Sequence, residues 1–147
     1  MCSVRHPTIH YCIDTHQDTA HNHTVVYGEI LMRDTILQCA GAAGIAVALI
    51  HGVLGETMVF AKATIQPERL RTLIRLVWQA GTVAWIGGAV LLMAAPSFGS
   101  ESARHWIVVT IVTVYSFAAA ANAWWSRGRG FGWKALGAVV VLAVAGY

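Results

Sequence analysis

The residues best equipped for chemistry are His51 and Glu56, in the run Ile50-His51-Gly52-Val53-Leu54-Gly55-Glu56. They interrupt an otherwise apolar stretch of helix-forming residues, where an ionisable side chain is costly and is a functional candidate by default. His51 falls roughly ten residues from the end of that stretch, which places it near mid-membrane at 1.5 Å per residue. It shares a helical face with Gly44, Ala48 and Gly55 and is predicted to point into a bundle. Glu56, five positions later, lies about 140° further round and about one turn inside the boundary. On an antiparallel second helix, Arg75 enters at the level of Glu56, and Lys62 is a second partner because its stem can snorkel. Gln79 and Thr82 fall nearer the depth of His51, with Trp78 and Trp85 beside them. The structural reading is a Glu56–Arg75 bridge plus a hydrogen bond from His51 to Gln79 or Thr82, locking the first two helices. The functional readings are proton or substrate coupling through Glu56 and His51, or a cofactor or quinone pocket framed by His51, Trp78, Trp85 and Gln79.

Spacing tests sharper chemistries. A bis-histidine haem needs two imidazoles at one depth, and the only other histidine after residue 31 is His105, at the opposite end of the third apolar run. One subunit cannot build that site, although a dimer can. A di-iron carboxylate centre uses Glu-x-x-His, and position 59 is Val. The chain has no Ser–His–Asp or Cys–His set, zinc pattern or phosphate-binding glycine loop. No catalytic residue, enzyme activity or metal site is therefore assigned, and the cofactor is left open. Thr110, Thr113, Ser116 and Asn122 are weaker signals: Thr and Ser often bond to their own helix backbone, and Asn122 reads as joining helices.

Composition names the elements that must hold these residues. The chain has 147 residues, of which 56% are hydrophobic and only 12% charged, with a mean hydropathy of +0.58. Soluble domains carry about 25% charged residues, so an ordinary cytosolic enzyme, a secreted disulfide scaffold and a nucleic-acid-binding domain are excluded. Four stretches approach the length of about 20 residues needed to cross a bilayer: about Ile36–Ala61, Leu73–Ala95, Ala103–Trp125 and Phe131–Tyr147, the last at the lower limit. The expected fold is all-α, an integral membrane four-helix bundle over residues 32–147. Lys62, Arg69, Arg71 and Arg75 in the first loop and Arg127, Arg129 and Lys134 in the third face only Arg104 in the second. The positive-inside rule then places both termini outside the cytoplasm. Trp124, Trp125, Phe131 and Trp133 mark the inner boundary, with Trp106 and Tyr147 at the outer one. The stripes Gly41/Gly44–Ala48–Gly52/Gly55 and Gly81–Ala84–Gly88, with Ala118 to Ala121 and Ala123, are predicted packing faces.

Residues 1–31 are different in kind. They hold His6, His10, His16, His21 and His23 and lack lysine and the order of a signal peptide. Three readings apply: an external metal-binding tail built on His21-x-His23, a disordered extension, or a segment upstream of the true start at Met32. Composition favours the last. Cys2, Cys12 and Cys39 form no redox or metal motif, and Cys39 reads as a small hydrophobe.

His-x-x-Leu-Gly-Glu in the first span, the Arg-rich first loop, an aromatic–polar pair early in the second helix and Ser-Arg-Gly-Arg before the fourth resemble a widespread group of small four-helix bacterial membrane proteins. The matching residues are His51, Leu54, Gly55, Glu56, Trp78, Ser126, Arg127, Gly128 and Arg129, and the resemblance covers residues 32–147. It implies the architecture and no assigned activity. Members often carry Ser after the first His and His after the Trp, where this chain has Gly52 and Gln79. The loss of that second His argues against a metal or haem site here. The expected function is a non-enzymatic accessory or assembly subunit of the bacterial inner membrane, embedded in lipid and working within a larger complex or a homodimer. The alternatives are a small proton-coupled transporter using Glu56 and a cofactor- or quinone-binding subunit using His51.

Overall fold

Three interruptions divide the chain. Pro67 lies in the first, Pro96 opens the second, and Gly128 and Gly130 loosen the third; a missing N–H or a missing Cβ makes each a place where a helix stops. The computed structural model describes the backbone of residues 8–147 and the side chains of residues 25–147. It contains the helices α1 (Thr8–Leu54), α2 (Glu68–Ala94), α3 (Glu101–Trp125) and α4 (Gly132–Ala145). A six-residue π-helical segment, Gly55–Phe60, prolongs α1, and a short 3-10 turn, Ala95–Phe98, follows α2. Ser100 caps α3 by accepting a hydrogen bond from the Ala103 N–H at 3.3 Å.

Val25–Phe60, Glu68–Phe98 and Glu101–Trp125 are each long and apolar enough to cross a membrane. The fourth helix is not. Its 14 residues rise only about 21 Å against a hydrocarbon layer of roughly 30 Å. The stretch Phe131–Tyr147 therefore loses residues at both ends, because the glycine-rich turn delays the start of the helix and the chain closes in a turn at Gly146.

At the other extreme α1 outruns expectation. Of the three readings of residues 1–31, the disordered extension is corrected from Thr8 onward, where the helix is continuous into the span. Pro7 is the last proline before Pro67, and Gly28 is the only glycine before Gly41. A helix nucleated in the packed segment therefore meets no stop as it propagates outward. The side chains of His10, Cys12, His16, His21 and His23, with the metal-binding reading of His21-x-His23, and the residues Cys2 and His6 lie outside what the structure describes.

The helices alternate in direction. Gly41 packs against Met93 and Ala89, Gly44 against Ala89, Gly52 against Thr82 and Gly55 against Trp78, so the predicted α1 stripe is the seam that lets α2 approach. Lipid tails give little drive for apolar helices to associate, and close backbone approach supplies the contact instead. Gly146 at the end of α4 lies against Leu37 and Arg33, and α3 runs back beside α4. Leu37 and Ala40 of α1, Leu92 of α2, Tyr115 of α3 and Leu136 and Val139 of α4 form one buried core. The α2 stripe behaves differently. Gly88 receives Ile111, but a Cβ at Gly81 would meet nothing within 4 Å. The space between α2 and α3 is instead a groove of about 460 Å³, walled by Gly81, Ala84 and Gly88 on one side and Thr110 and Val114 on the other.

Candidate functional site

At the end of α1 that carries Glu56, three α2 residues one turn apart, Arg75, Gln79 and Thr82, face the α1 seam. Arg75 meets Glu56 in a two-point fork, with Nη2 to Oε2 at 2.6 Å and Nε to Oε1 at 2.9 Å. The planar guanidinium suits this geometry better than an ammonium would. Lys62, the other candidate partner, forms no ion pair with Glu56. Gln79 Nε2 adds a third donor to Glu56 Oε1 at 2.7 Å. One carboxylate thus accepts three N–H bonds from two residues of α2, which fixes the register of the two helices.

The expected hydrogen bond from His51 to Gln79 or Thr82 does not form. Gln79 turns to Glu56 and, at 3.5 Å, to the Gly52 carbonyl, while the Thr82 hydroxyl donates to the Trp78 carbonyl at 3.3 Å. His51 instead packs between two indoles. Its ring stacks on Trp78 with centroids 4.2 Å apart and planes within 7°, and it lies 4.6 Å from Trp85 at 32°. The helical wheel explains the exchange. Trp78 and Trp85, seven residues apart, share a face of α2, and Gln79 and Thr82 lie on the adjacent face. Adjacent α1 residues therefore meet different partners: His51 the tryptophans, and Gly52 and Glu56 the polar edge.

The π-helical segment starts at this point. Beyond Leu54 the backbone bonds widen, as in Ala61 N–H to the Glu56 carbonyl at 3.2 Å, and such widened turns recur at functional sites. Trp78 donates its indole N–H to the His51 carbonyl at 3.3 Å, and Arg71 donates to the Phe60 carbonyl at 2.8 Å. Phe60 is buried edge-on against Trp78, with centroids 5.8 Å apart. Gly55 is required here, since the indole of Trp78 occupies the space a Cβ would take.

Behind the stack lie two cavities. One, of about 240 Å³, is walled by Val47, His51, Trp85, Asn122, Phe131 and Leu136 among others. The other, of about 440 Å³, reaches Trp78, Ala118 and Trp125 and shares His51, Trp85 and Asn122 with the first. Asn122, read from sequence as a joiner of helices, has no side-chain hydrogen bond to another described residue. Its amide rests against Gly132, where a Cβ would come within 3.0 Å of Oδ1. Glu56, Gln79 and Thr82 line a separate surface hollow on the other side of α1. The pocket framed by His51, Trp78 and Trp85 thus excludes Gln79 and takes in Asn122 and Phe131.

A second polar cluster closes the opposite end. Arg104 is buried, and it bonds through Nη1 to Asp34 Oδ1 at 2.7 Å and through Nη2 to the Gly146 carbonyl at 2.7 Å. Its Nε has no partner. His105 Nδ1 lies 2.6 Å from the Tyr147 hydroxyl. Sequence reading treated Arg104 only as a topology marker. The signal for its role was its isolation, the single basic residue between two apolar runs that must converge. Among the described residues, no three His, Cys, Asp or Glu side chains gather as a metal site, and Cys39 is an exposed free thiol. Comparison with protein-family models, with curated proteins and with solved structures finds no match to this chain.

Proposed function

We propose that this chain is a non-enzymatic, multi-pass protein of the bacterial inner membrane that acts as an accessory or assembly subunit of a larger membrane complex, or as a homo-oligomer. On this reading both termini lie outside the cytoplasm, and α4, shorter than the hydrocarbon layer, is the fourth span of the bundle, packed along α1 and α3. The observation that carries this reading is the groove between α2 and α3. Gly81 and Gly87 leave open space where side chains would stand, so α2 presents bare backbone to the membrane opposite Thr110 and Val114. A neighbouring transmembrane helix gains close contact from such a wall. The two intramembrane ion pairs support the same reading, because they join helices within the chain and hold that wall in a fixed shape.

Native mass spectrometry on protein gently extracted from its own membrane tests this. A dimer or a stoichiometric larger assembly is expected. A Cβ at Gly81 or Gly87 meets nothing within 4 Å, so Gly81→Leu and Gly87→Leu extend into the groove, and each is expected to convert the assembly to monomer while the helical circular dichroism stays unchanged. A parent protein that is monomeric throughout would overturn the proposal.

The proton-coupled transporter reading meets an obstacle in the Glu56 clamp. Three N–H donors occupy the Glu56 carboxylate, so a proton carrier at that position has first to break the clamp. Proton-driven flux abolished by Glu56→Gln in a folded protein would restore that alternative.

A further inference from the structure

Two polar side chains face the paired cavities with no protein partner. No hydrogen bond joins a His51 ring nitrogen or the Asn122 amide to any other described residue, although both residues wall both cavities. Both side chains are half-buried, with their polar groups open to the cavities; among acyl chains such groups gain from an occupant that bonds to them, because an unsatisfied polar group is costly in an apolar medium. The walls define that occupant. Trp78, Trp85, Trp125 and Phe131 supply aromatic surface, while Val47, Leu54 and Leu136 are aliphatic. No Asp, Glu, Lys or Arg side chain lines either cavity, which disfavours a cation or a phosphate headgroup, and His51 alone does not make a metal site. Glu56 opens onto a different hollow. The site therefore suits a neutral, planar, apolar molecule that accepts hydrogen bonds at its edge.

Access comes from the lipid. The larger cavity lies between α2 and α3 on the side where the groove also opens, so a tailed molecule can place its ring inside and leave its tail among the acyl chains. Its size suits one ring with small substituents, given that ligand pockets usually measure about 300–1,000 Å³. We propose that the His51–Asn122 cavity binds a quinone, with its carbonyl oxygens accepting from both the imidazole N–H and the Asn122 amide and the ring packed against Trp85. His51 is held for this role by its stack, because the indoles cover its faces and leave its edge as the free part.

The test titrates the purified full chain in detergent with a ubiquinone bearing a single isoprene unit, following quenching of tryptophan fluorescence. Saturable quenching is expected. Asn122→Leu removes one donor, and His51→Phe keeps the ring stack while removing the other; each is expected to weaken binding by about tenfold, the scale of one lost hydrogen bond. Gly137→Ala, at a position with open space, is expected to bind as the parent does. If His51→Phe fails to accumulate, Asn122→Leu decides alone. Unsaturable quenching, or equal affinity in the parent and Asn122→Leu, would overturn the proposal. So would loss of quenching in phosphatidylglycerol nanodiscs, which would assign the cavity to a lipid acyl chain.

Discussion

Removing the carboxylate and removing the guanidinium are unequal perturbations of the Glu56–Arg75 pair. The Arg75 side chain is 58% exposed and that of Glu56 only 31%, so an unpaired Arg75 can swing toward the headgroups. An unpaired Glu56 keeps one donor, Gln79, in a medium that stabilises charge poorly. Arg75→Leu is therefore expected to lower the melting temperature in detergent more than Glu56→Gln does. The double variant should melt no lower than Arg75→Leu alone, because the stranded carboxylate is then gone. A thermal series on the three proteins checks the order; an additive double variant would show that the two residues act independently. The pairing itself follows from sequence, since matching depth on antiparallel helices leaves Glu56 few partners. The His51 stack does not. Depth alone cannot separate Trp78 from Gln79, which are adjacent in the chain and on different faces, and only the rotational setting of α2 against α1 chooses between them.

Among the elements, the α1–α2 seam depends on shape more than on charge. Gly55 is the tightest point beside the polar cluster, where the Trp78 indole fills the position of a side chain just as the helix widens. Gly55→Leu is expected to cost about 1–3 kcal/mol as overpacking and to alter tryptophan fluorescence, because Trp78 has to leave the His51 ring. Gly137→Ala, in the middle of α4 with nothing within 4 Å, is expected to be neutral or slightly stabilising through helix propensity. Equal effects at the two positions would show that glycine is acting through propensity rather than through the seam. Spacing predicts the small-residue stripe on α1 because close packing repeats every three or four residues. Spacing does not predict the π-helical segment, which answers to Trp78 and Arg71, residues of another helix. Nor does it tell that Gly81 stands open while Gly88 is filled, since both occupy the same kind of stripe.

For the whole molecule, Arg104 does a structural job that sequence reading, which took it only as a topology marker, did not assign. It joins α1 through Asp34 and the end of α4 through Gly146, so the three helices are tied at one level. Arg104→Met strands Asp34 and is expected to destabilise the fold by about 3–5 kcal/mol, as breaking a buried pair does; Asp34→Asn on that background should recover part of the loss in a melting assay. The tie also sharpens the charge asymmetry. Arg104 is buried against an acid, so it adds no free positive charge to its own end, where Arg33 is the remaining Lys or Arg among residues 25–147. At the other end Lys62, Arg69, Arg127, Arg129 and Lys134 are exposed, and only Arg75 there has an acidic partner. The positive-inside rule predicts that the Glu56 end faces the cytoplasm, as the proposed topology requires. In a background with Cys2, Cys12 and Cys39 replaced by Ser, two exposed positions report on this, Thr64 in the first connection and Ser102 at the start of α3. A membrane-impermeant maleimide added to intact cells is expected to label Ser102→Cys and to reach Thr64→Cys only after the cells are opened. The reverse pattern would invert the molecule and place the mouth of the His51 cavity in the outer half of the bilayer.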